Sequence, residues 1–73
     1  MDKVKTGALI REARTKKNLT QCELGDLVGV TNKAVSRWEN GESFPDVGVI
    51  EKLSEVLDIS IQDIVTGGIT VNE

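Results

Sequence analysis

Two short apolar stripes joined by a glycine constrain the fold of this chain more than any other feature. Leu24 and Val28 lie on one side of a predicted helix, and Val35 and Trp38 lie on one side of the next. Gly29 ends the first of these helices because glycine adopts the left-handed conformation of a sharp turn. Since only three residues separate the two helices, they must cross steeply with their apolar sides together.

Capping signals predict three further helices around this pair. The first helix runs from about residue 6 to residue 17, and a capping box of Thr20 and Glu23 opens the second. The third covers Asn32 to about Asn40, the fourth follows Asp46 as far as Leu57, and the fifth lies between Ser60 and Gly67. No segment alternates apolar and polar residues as a strand does, so the prediction is an all-α, compact five-helix fold.

The inward positions of these helices predict one small hydrophobic core. Ile61 and Ile64 are assigned to it, whereas Val65 and Ile69 stay open between core and dimer surface. Val47 shares the apolar stripe of the fourth helix. The other predicted core residues are Ile10, Leu24, Leu27, Val28, Val30, Val35, Trp38, Ile50, Leu53 and Leu57.

The chain has none of the usual covalent or metal staples of a small domain. Its one cysteine, Cys22, cannot form an internal disulfide and is interpreted as a bystander thiol rather than an oxidant sensor. Without histidine the usual zinc patterns cannot be assembled, so neither metal nor cofactor is predicted. We expect a cytoplasmic protein without a membrane contact, because no stretch approaches 18 apolar residues and no signal-peptide core follows Met1.

The third predicted helix has two unlike sides. At 100° per residue, Ala34, Val35 and Trp38 share one side, so the only tryptophan is interpreted as core rather than as a base-stacking residue. The nearly opposite side carries donors and amides, without a carboxylate at its centre. Its members are Lys33, Ser36, Arg37 and Asn40.

The segments LTQCELGDLVGVTNKAVSRWENG and PDVGVIEKLSEVLDISIQDIVTG together resemble the lambda-repressor-like, XRE-type family of helix-turn-helix regulators. The resemblance covers about residues 6–68. It implies a five-helix DNA-binding domain in which helices 2 and 3 form the helix-turn-helix, acting as a homodimer on a double-stranded DNA operator. We expect this domain to span residues 1–68 and residues 69–73 to form a frayed C-terminal tail.

The resemblance makes helix 3 the recognition helix, which lies in the major groove. The chemistry of its residues fits this role. Arg37 and Lys33 can donate to guanine O6 and N7, and Asn32 can pair with adenine N6 and N7. Thr31 and Ser36 can make adaptable polar contacts or touch a thymine methyl group. These five residues are the predicted base contacts.

Backbone phosphates are assigned to residues at the ends of the helices. Gln21 and Asn40 match phosphate-contacting positions of the family, and the Gln21 side chain is also placed to brace helix 3. Lys16 and Lys17 are further candidates, with simple solvation as the alternative.

Arg14 and Glu39 match a pair that commonly joins helices 1 and 3. This pairing would explain a glutamate next to a DNA-reading surface. An exposed pair adds little stability, but it can orient helix 3.

The net charge of −3 conceals an uneven distribution. Residues 1–40 carry eight basic and five acidic side chains, whereas residues 41–73 carry one basic and seven acidic side chains. Because association with a polyanion depends on the local field of the contacting face, an acidic chain can still present a DNA-binding surface.

Three classes of function are weighed against these features. A sequence-specific DNA-binding regulator, most simply a repressor, fits best. A protein-interaction module of antitoxin or adaptor type is the alternative on the same fold. An enzyme is disfavoured because the chain lacks a histidine base and a glycine-rich phosphate loop, and its acidic residues are dispersed. The operator, the direction of regulation and any effector stay open, as does the question of whether the chain is part of a longer regulator.

Overall fold

The computed structural model describes residues 2–68 and contains five α-helices and no strand within that range. The predicted all-α, five-helix fold is therefore confirmed, whereas the expectation of a frayed tail at 69–73 lies outside the described residues. None of the helices between residues 2 and 68 is long and apolar enough to cross a membrane. The helices are α1 (Lys3–Lys16), α2 (Gln21–Val28), α3 (Asn32–Glu39), α4 (Val47–Leu57) and α5 (Ile61–Thr66).

Helix α1 begins three residues before its predicted start. The carboxylate of Asp2 accepts hydrogen bonds from the backbone amides of Val4 and Lys5, at 3.0 and 3.2 Å, and so caps the helix. Thr6 consequently lies inside α1, where it is buried and its hydroxyl donates to the Ile64 carbonyl oxygen at 2.6 Å. This hydrogen bond joins the start of α1 to α5.

The turn between α2 and α3 forms as predicted. In the capping box of α2, the Glu23 amide donates to the Thr20 hydroxyl at 3.0 Å, and the Thr20 amide donates to the Glu23 carboxylate at 2.8 Å. Gly29 ends the helix with φ 81°, in the left-handed region. Thr31 then caps α3, and its hydroxyl accepts from the Ala34 amide at 3.2 Å.

Of the ten predicted core residues other than Ile61 and Ile64, eight are buried as predicted. Ile64, placed there as well, is fully buried and packs with them. Val65 is partly buried and packs against the core. The confirmed core residues are Ile10, Leu24, Val28, Val35, Trp38, Ile50, Leu53 and Leu57.

Three predicted core residues are corrected by the structure: Leu27, Val30 and, at the start of α5, Ile61. Leu27 is 55% exposed because the buried side of α2 is centred on Leu24, Gly25 and Val28 rather than on Leu27. Gly25 explains why the buried side of α2 is centred there. A β-carbon at position 25 would lie 2.7 Å from the Val30 carbonyl oxygen, so the chain after the turn packs directly on the helix backbone. Val30 is only partly buried and lies against the edge of the core.

The first residues of α4 and α5 are also less buried than their sequence pattern predicts. Val47 and Ile61 are both exposed. Each stands at the first position of its helix, where no preceding turn covers it.

Gly7 marks the point where α1 crosses the end of α3. A β-carbon at this position would lie only 2.0 Å from the carbonyl oxygen of Trp38, a distance that no real contact tolerates. Glycine therefore allows α1 to lie directly on the backbone at the C-terminal end of α3. This close crossing, together with the turn at Gly29, holds α3 from both of its ends.

Candidate nucleic-acid interface

Helix α3 presents the predicted base-contact residues on one open side. Asn32, Lys33 and Arg37 are exposed and Ser36 is partly exposed, whereas Trp38 is buried on the inner side. The division of the helix into an inner and an outer side is thus confirmed. An α-helix with such an outer side has the dimensions that the DNA major groove admits.

Thr31 stands at the leading end of this side and has a structural task as well. Its hydroxyl oxygen accepts the Ala34 amide hydrogen bond that caps α3. The hydroxyl hydrogen is not used in that bond, so the residue retains a donor toward solvent. Thr31 is exposed, with the extended backbone of a cap residue.

Lys33 and Arg37 give the outer side of α3 its positive charge. They are four residues apart, which puts them on adjacent turns of one helix face. Neither side chain takes part in a hydrogen bond or ion pair among residues 2–68. Both cations are therefore available to an external partner.

The only carboxylate of α3 points away from this side. The side chain of Glu39 is 0% exposed and that of Arg14 is 13% exposed. Arg14 Nε donates to Glu39 Oε2 at 2.6 Å, and Arg14 Nη2 donates to Oε1 at 2.9 Å. The predicted pair is thus present in the structure, but it is a buried pair rather than an exposed one.

Two more side chains converge on the same carboxylate. Arg11 Nε donates to Glu39 Oε1 at 3.4 Å, and Gln21 Nε2 donates to the same oxygen at 3.1 Å. The expected bracing of helix 3 by Gln21 is present. Sequence reasoning missed Arg11, although its spacing of three residues from Arg14 places both on one side of α1.

The electrostatic balance keeps this carboxylate ionised at neutral pH. Burial by itself raises the pKa of Glu39, but the hydrogen bonds from Arg14 and Gln21 and the charge of Arg14 outweigh burial. The net effect is a pKa below the ordinary value of 4.5. In turn, the hydrogen bond to Glu39 raises the pKa of Arg14. The buried charge is thus matched by partners from α1 and α2.

The predicted phosphate-contacting residues fall into two groups in space. Gln21 and Asn40 lie at the first turn of α2 and at the end of α3, next to the Glu39 cluster. Lys16 and Lys17 instead line an open cavity of about 310 Å³ beside Asp58, at the end of α4. The cavity that the two lysines line includes no residue of α3.

The first turn of α2 retains free backbone donors near the cluster. One N–H of Gln21 Nε2 donates to Glu39, and the backbone amides of Gln21 and Cys22 donate no hydrogen bond within residues 2–68. Unpaired amides at a helix N-terminus, with the helix dipole behind them, favour an anion.

A sequence-family model described as helix-turn-helix matches residues 10–64. The chain is 31% identical over 58 residues to the HTH-type transcriptional activator BcrR of Enterococcus faecalis, covering 80% of this chain and 28% of BcrR. It is 36% identical over 64 residues to repressor protein C2 of Salmonella phage P22, covering 88% of this chain and 30% of C2. The chain thus spans less than a third of the length of either relative.

Solved structures share the fold. The crystal structure of the P22 c2 repressor in complex with a synthetic operator superposes with a TM-score of 0.81 at 37% identity, covering 85% of this chain and 94% of that one. Hydroxypropylphosphonic acid epoxidase from S. wedmorenis also contains the fold, with a TM-score of 0.76 at 25% identity. That match covers 86% of this chain but only 34% of the epoxidase.

Proposed function

The chain belongs to the lambda-repressor-like helix-turn-helix family, and from this premise we propose that it is a sequence-specific, double-stranded DNA-binding transcriptional regulator. One observation carries the proposal: α3 is held at both ends while its outer side exposes two cations and polar side chains without a carboxylate. The P22 c2 repressor, whose structure contains an operator, supports the same function.

Base recognition is assigned to the outer side of α3 in the major groove. Arg37 and Lys33 donate to guanine edges, and Asn32 pairs with adenine. Thr31 and Ser36 adapt to the neighbouring base or touch a thymine methyl group. Each good bidentate contact contributes about 1–3 kcal/mol of discrimination between bases.

Phosphate contacts position this helix over the groove. We assign them to the backbone amides at the start of α2, around Gln21, and to Asn40 at the end of α3. Lys16 and Lys17 stay a prediction, because their cavity lies beside α4.

Repression and dimerisation complete the proposal. The C2 relative is a repressor, whereas BcrR is an activator, so family membership alone is compatible with both directions of regulation. We favour a repressor that binds as a homodimer to two half-sites one helical turn apart and acts in the cytoplasm.

The enzyme hypothesis is the weakest one for this domain. The epoxidase shows that the fold also occurs within an enzyme, but there it matches only a third of that chain. This chain has no histidine to act as a general base.

A protein-interaction module of antitoxin or adaptor type remains the second candidate. The exposed apolar side chains Val4, Leu27 and Val47 favour it, because they provide apolar surface for a protein contact on α1, α2 and α4.

Selection of binding sites from a random duplex pool tests the proposal. A dimeric regulator is expected to enrich a palindromic site with half-sites about 10 base pairs apart, and its affinity is expected to fall steeply with salt. Failure to bind any duplex, even at about 50 mM salt where phosphate contacts are strong, would refute DNA binding and favour the interaction module.

A further inference from the structure

We propose that residues 69–72, the chain that follows α5, lie along α1 and fill a groove beside it with the side chains of Ile69 and Val71. From the sequence alone, Ile69 stays open between the core and a dimer surface. The inference assigns it instead to the surface of α1. It does not depend on DNA binding, because none of the residues that carry it belongs to α3.

Two neighbouring cavities form one groove beside α1. The first has a volume of about 460 Å³ and is lined by α1 together with Gly67 and Gly68, which follow α5. The second has a volume of about 310 Å³ and is lined by α1 together with residues 57–59, where α4 ends and leads into α5. Leu9 and Glu12 line both cavities, so the groove is continuous along α1.

Apolar side chains supply part of the surface of this groove. Leu9, where the two cavities meet, is half-buried. Between residues 2 and 68 it belongs neither to the core nor to the side chains that pack against the core. Ile59 is also half-buried and lines the second cavity. Covering these two side chains removes apolar area from water, which favours an apolar occupant.

The charges of the second cavity favour an uncharged occupant. Its lining includes the carboxylates of Glu12 and Asp58 and the ammonium groups of Lys16 and Lys17. Because the two signs balance, the cavity has no net charge to attract an anion or a cation. Residues 69–72, with the sequence Ile-Thr-Val-Asn, carry no charge and alternate apolar with polar side chains.

The end of α5 directs the chain into the groove. The two glycines that follow α5 have positive φ, 74° at Gly67 and 82° at Gly68. A β-carbon on Gly67 would lie 2.6 Å from Cβ of Lys5, and a β-carbon on Gly68 would lie 4.0 Å from Cδ1 of Leu9. As the chain leaves α5 it therefore passes from the beginning of α1 toward the C-terminal end of that helix, which is the direction of the groove.

The spacing of Ile69 and Val71 matches the groove. Two residues of extended chain advance about 6.6 Å, and the four residues from Leu9 to Ala13 rise about 6 Å along α1. Ile69 is thus placed against Leu9. Val71 reaches the second cavity, beside Ile59. Because this segment is joined directly to the end of α5, the contact is intramolecular and benefits from a high effective concentration.

A second copy of the chain is the competing occupant. Val47 and Ile61 are exposed apolar side chains that could enter the groove of a neighbouring molecule. Such a contact becomes stronger as the protein concentration rises, whereas the contact of residues 69–72 with their own α1 does not.

Nuclear Overhauser effects between methyl groups test the proposal on the full 73-residue chain. In a sample labelled at isoleucine, leucine and valine methyls, contacts are expected from Ile69 to Leu9 and from Val71 to Ile59. In a mixture of labelled and unlabelled chains, filtered for contacts between molecules, the same contacts are expected to be absent. Their appearance in the mixture would assign the groove to a second copy and overturn the proposal. Their absence from both samples would overturn it as well.

Urea denaturation of paired variants gives a second readout. Ile69→Ala is expected to lower the unfolding midpoint of the parent, and to lower it less in a Leu9→Ala chain, because changes to side chains in contact do not add. Ile61→Ala is the matched control, since Ile61 is an exposed isoleucine that lines neither cavity. Its effect is expected to add to that of Leu9→Ala. Additive effects of Ile69→Ala and Leu9→Ala would refute the contact.

Neither readout involves DNA. A failure of this inference therefore leaves the proposed DNA-binding function standing, and a failure to bind DNA leaves the groove contact standing.

Discussion

Arg14 and Glu39 join α1 to the last residue of α3 through two parallel hydrogen bonds, of 2.6 and 2.9 Å, with the carboxylate wholly removed from solvent. The burial of this ion pair changes its expected contribution to the stability of the folded state. An exposed pair would only orient α3, whereas a buried carboxylate makes the folded state depend on its partners.

Glu39→Ala is expected to destabilise the protein by about 3–5 kcal/mol, because it leaves Arg14 mostly buried without its counter-charge. Chemical denaturation followed by circular dichroism measures the loss. Glu42→Ala is the control, since Glu42 is exposed and its removal is expected to change stability by less than about 0.5 kcal/mol. Equal stabilities of the two variants would contradict the buried-pair interpretation.

Acidification is expected to remove the contribution of Glu39 to stability. Its pKa in the folded protein lies below the ordinary 4.5, so the folded state favours the ionised form. The stabilisation is therefore complete above the unfolded-state pKa and is lost as the pH falls through the lower folded-state pKa. Urea denaturation of the parent and of Glu39→Gln is expected to give a large difference at pH 7 that narrows below pH of about 4. A difference that stays constant down to pH of about 2 would rule out this linkage.

Gly7→Ala is expected to destabilise the protein although alanine is the better helix former. Its β-carbon would lie 2.0 Å from the Trp38 carbonyl oxygen. Because the atoms around it are backbone atoms of Trp38 and Glu39, which cannot rotate away as a side chain can, α1 and α3 must move apart. Overpacking of this kind costs about 1–3 kcal/mol or more.

Gly48→Ala is the matched control for that crossing, since nothing lies within 4 Å of its added β-carbon. It is expected to stabilise α4 by up to about 1 kcal/mol. Thermal melts of the two variants are therefore expected to shift in opposite directions. A melting temperature of Gly7→Ala at or above that of the parent would show that the crossing is not tight.

Arg37→Ala is expected to relax base preference without affecting the fold. Its side chain is exposed and makes no hydrogen bond or ion pair among residues 2–68, so stability should change by less than about 0.5 kcal/mol. Affinities for the selected site and its single base-pair variants are expected to show a loss of about 1–3 kcal/mol of discrimination at one position. An equal loss of affinity for all DNA sequences would instead indicate that Arg37 contacts the DNA backbone.

The helix order, the turn at Gly29 and the two sides of α3 could all be predicted because they depend on local spacing and capping. The start of α1 was wrong by three residues because the capping role of Asp2 was overlooked. The prediction that Leu27 is buried was wrong for a different reason. Periodicity gives the inward side of a helix only to within one residue, and the close approach at Gly25 decided between the possibilities.

The candidate site shows the same limit. The Arg14–Glu39 pair followed from the family resemblance, but its burial and the addition of Arg11 depend on how closely α1 lies on α3. That distance is set by Gly7, which in the sequence is only a poor helix former. The base contacts of α3 remain predictions, because DNA determines which exposed side chains are used.

The outer side of α3 has a consequence for how such a protein evolves. Lys33 and Arg37 are not needed to close the core, to cap a helix or to neutralise a buried charge between residues 2 and 68. Substitutions at these two positions therefore leave the folding free energy almost unchanged. A duplicated gene can therefore change its DNA target through a few codons, because selection for a folded domain does not act on these substitutions.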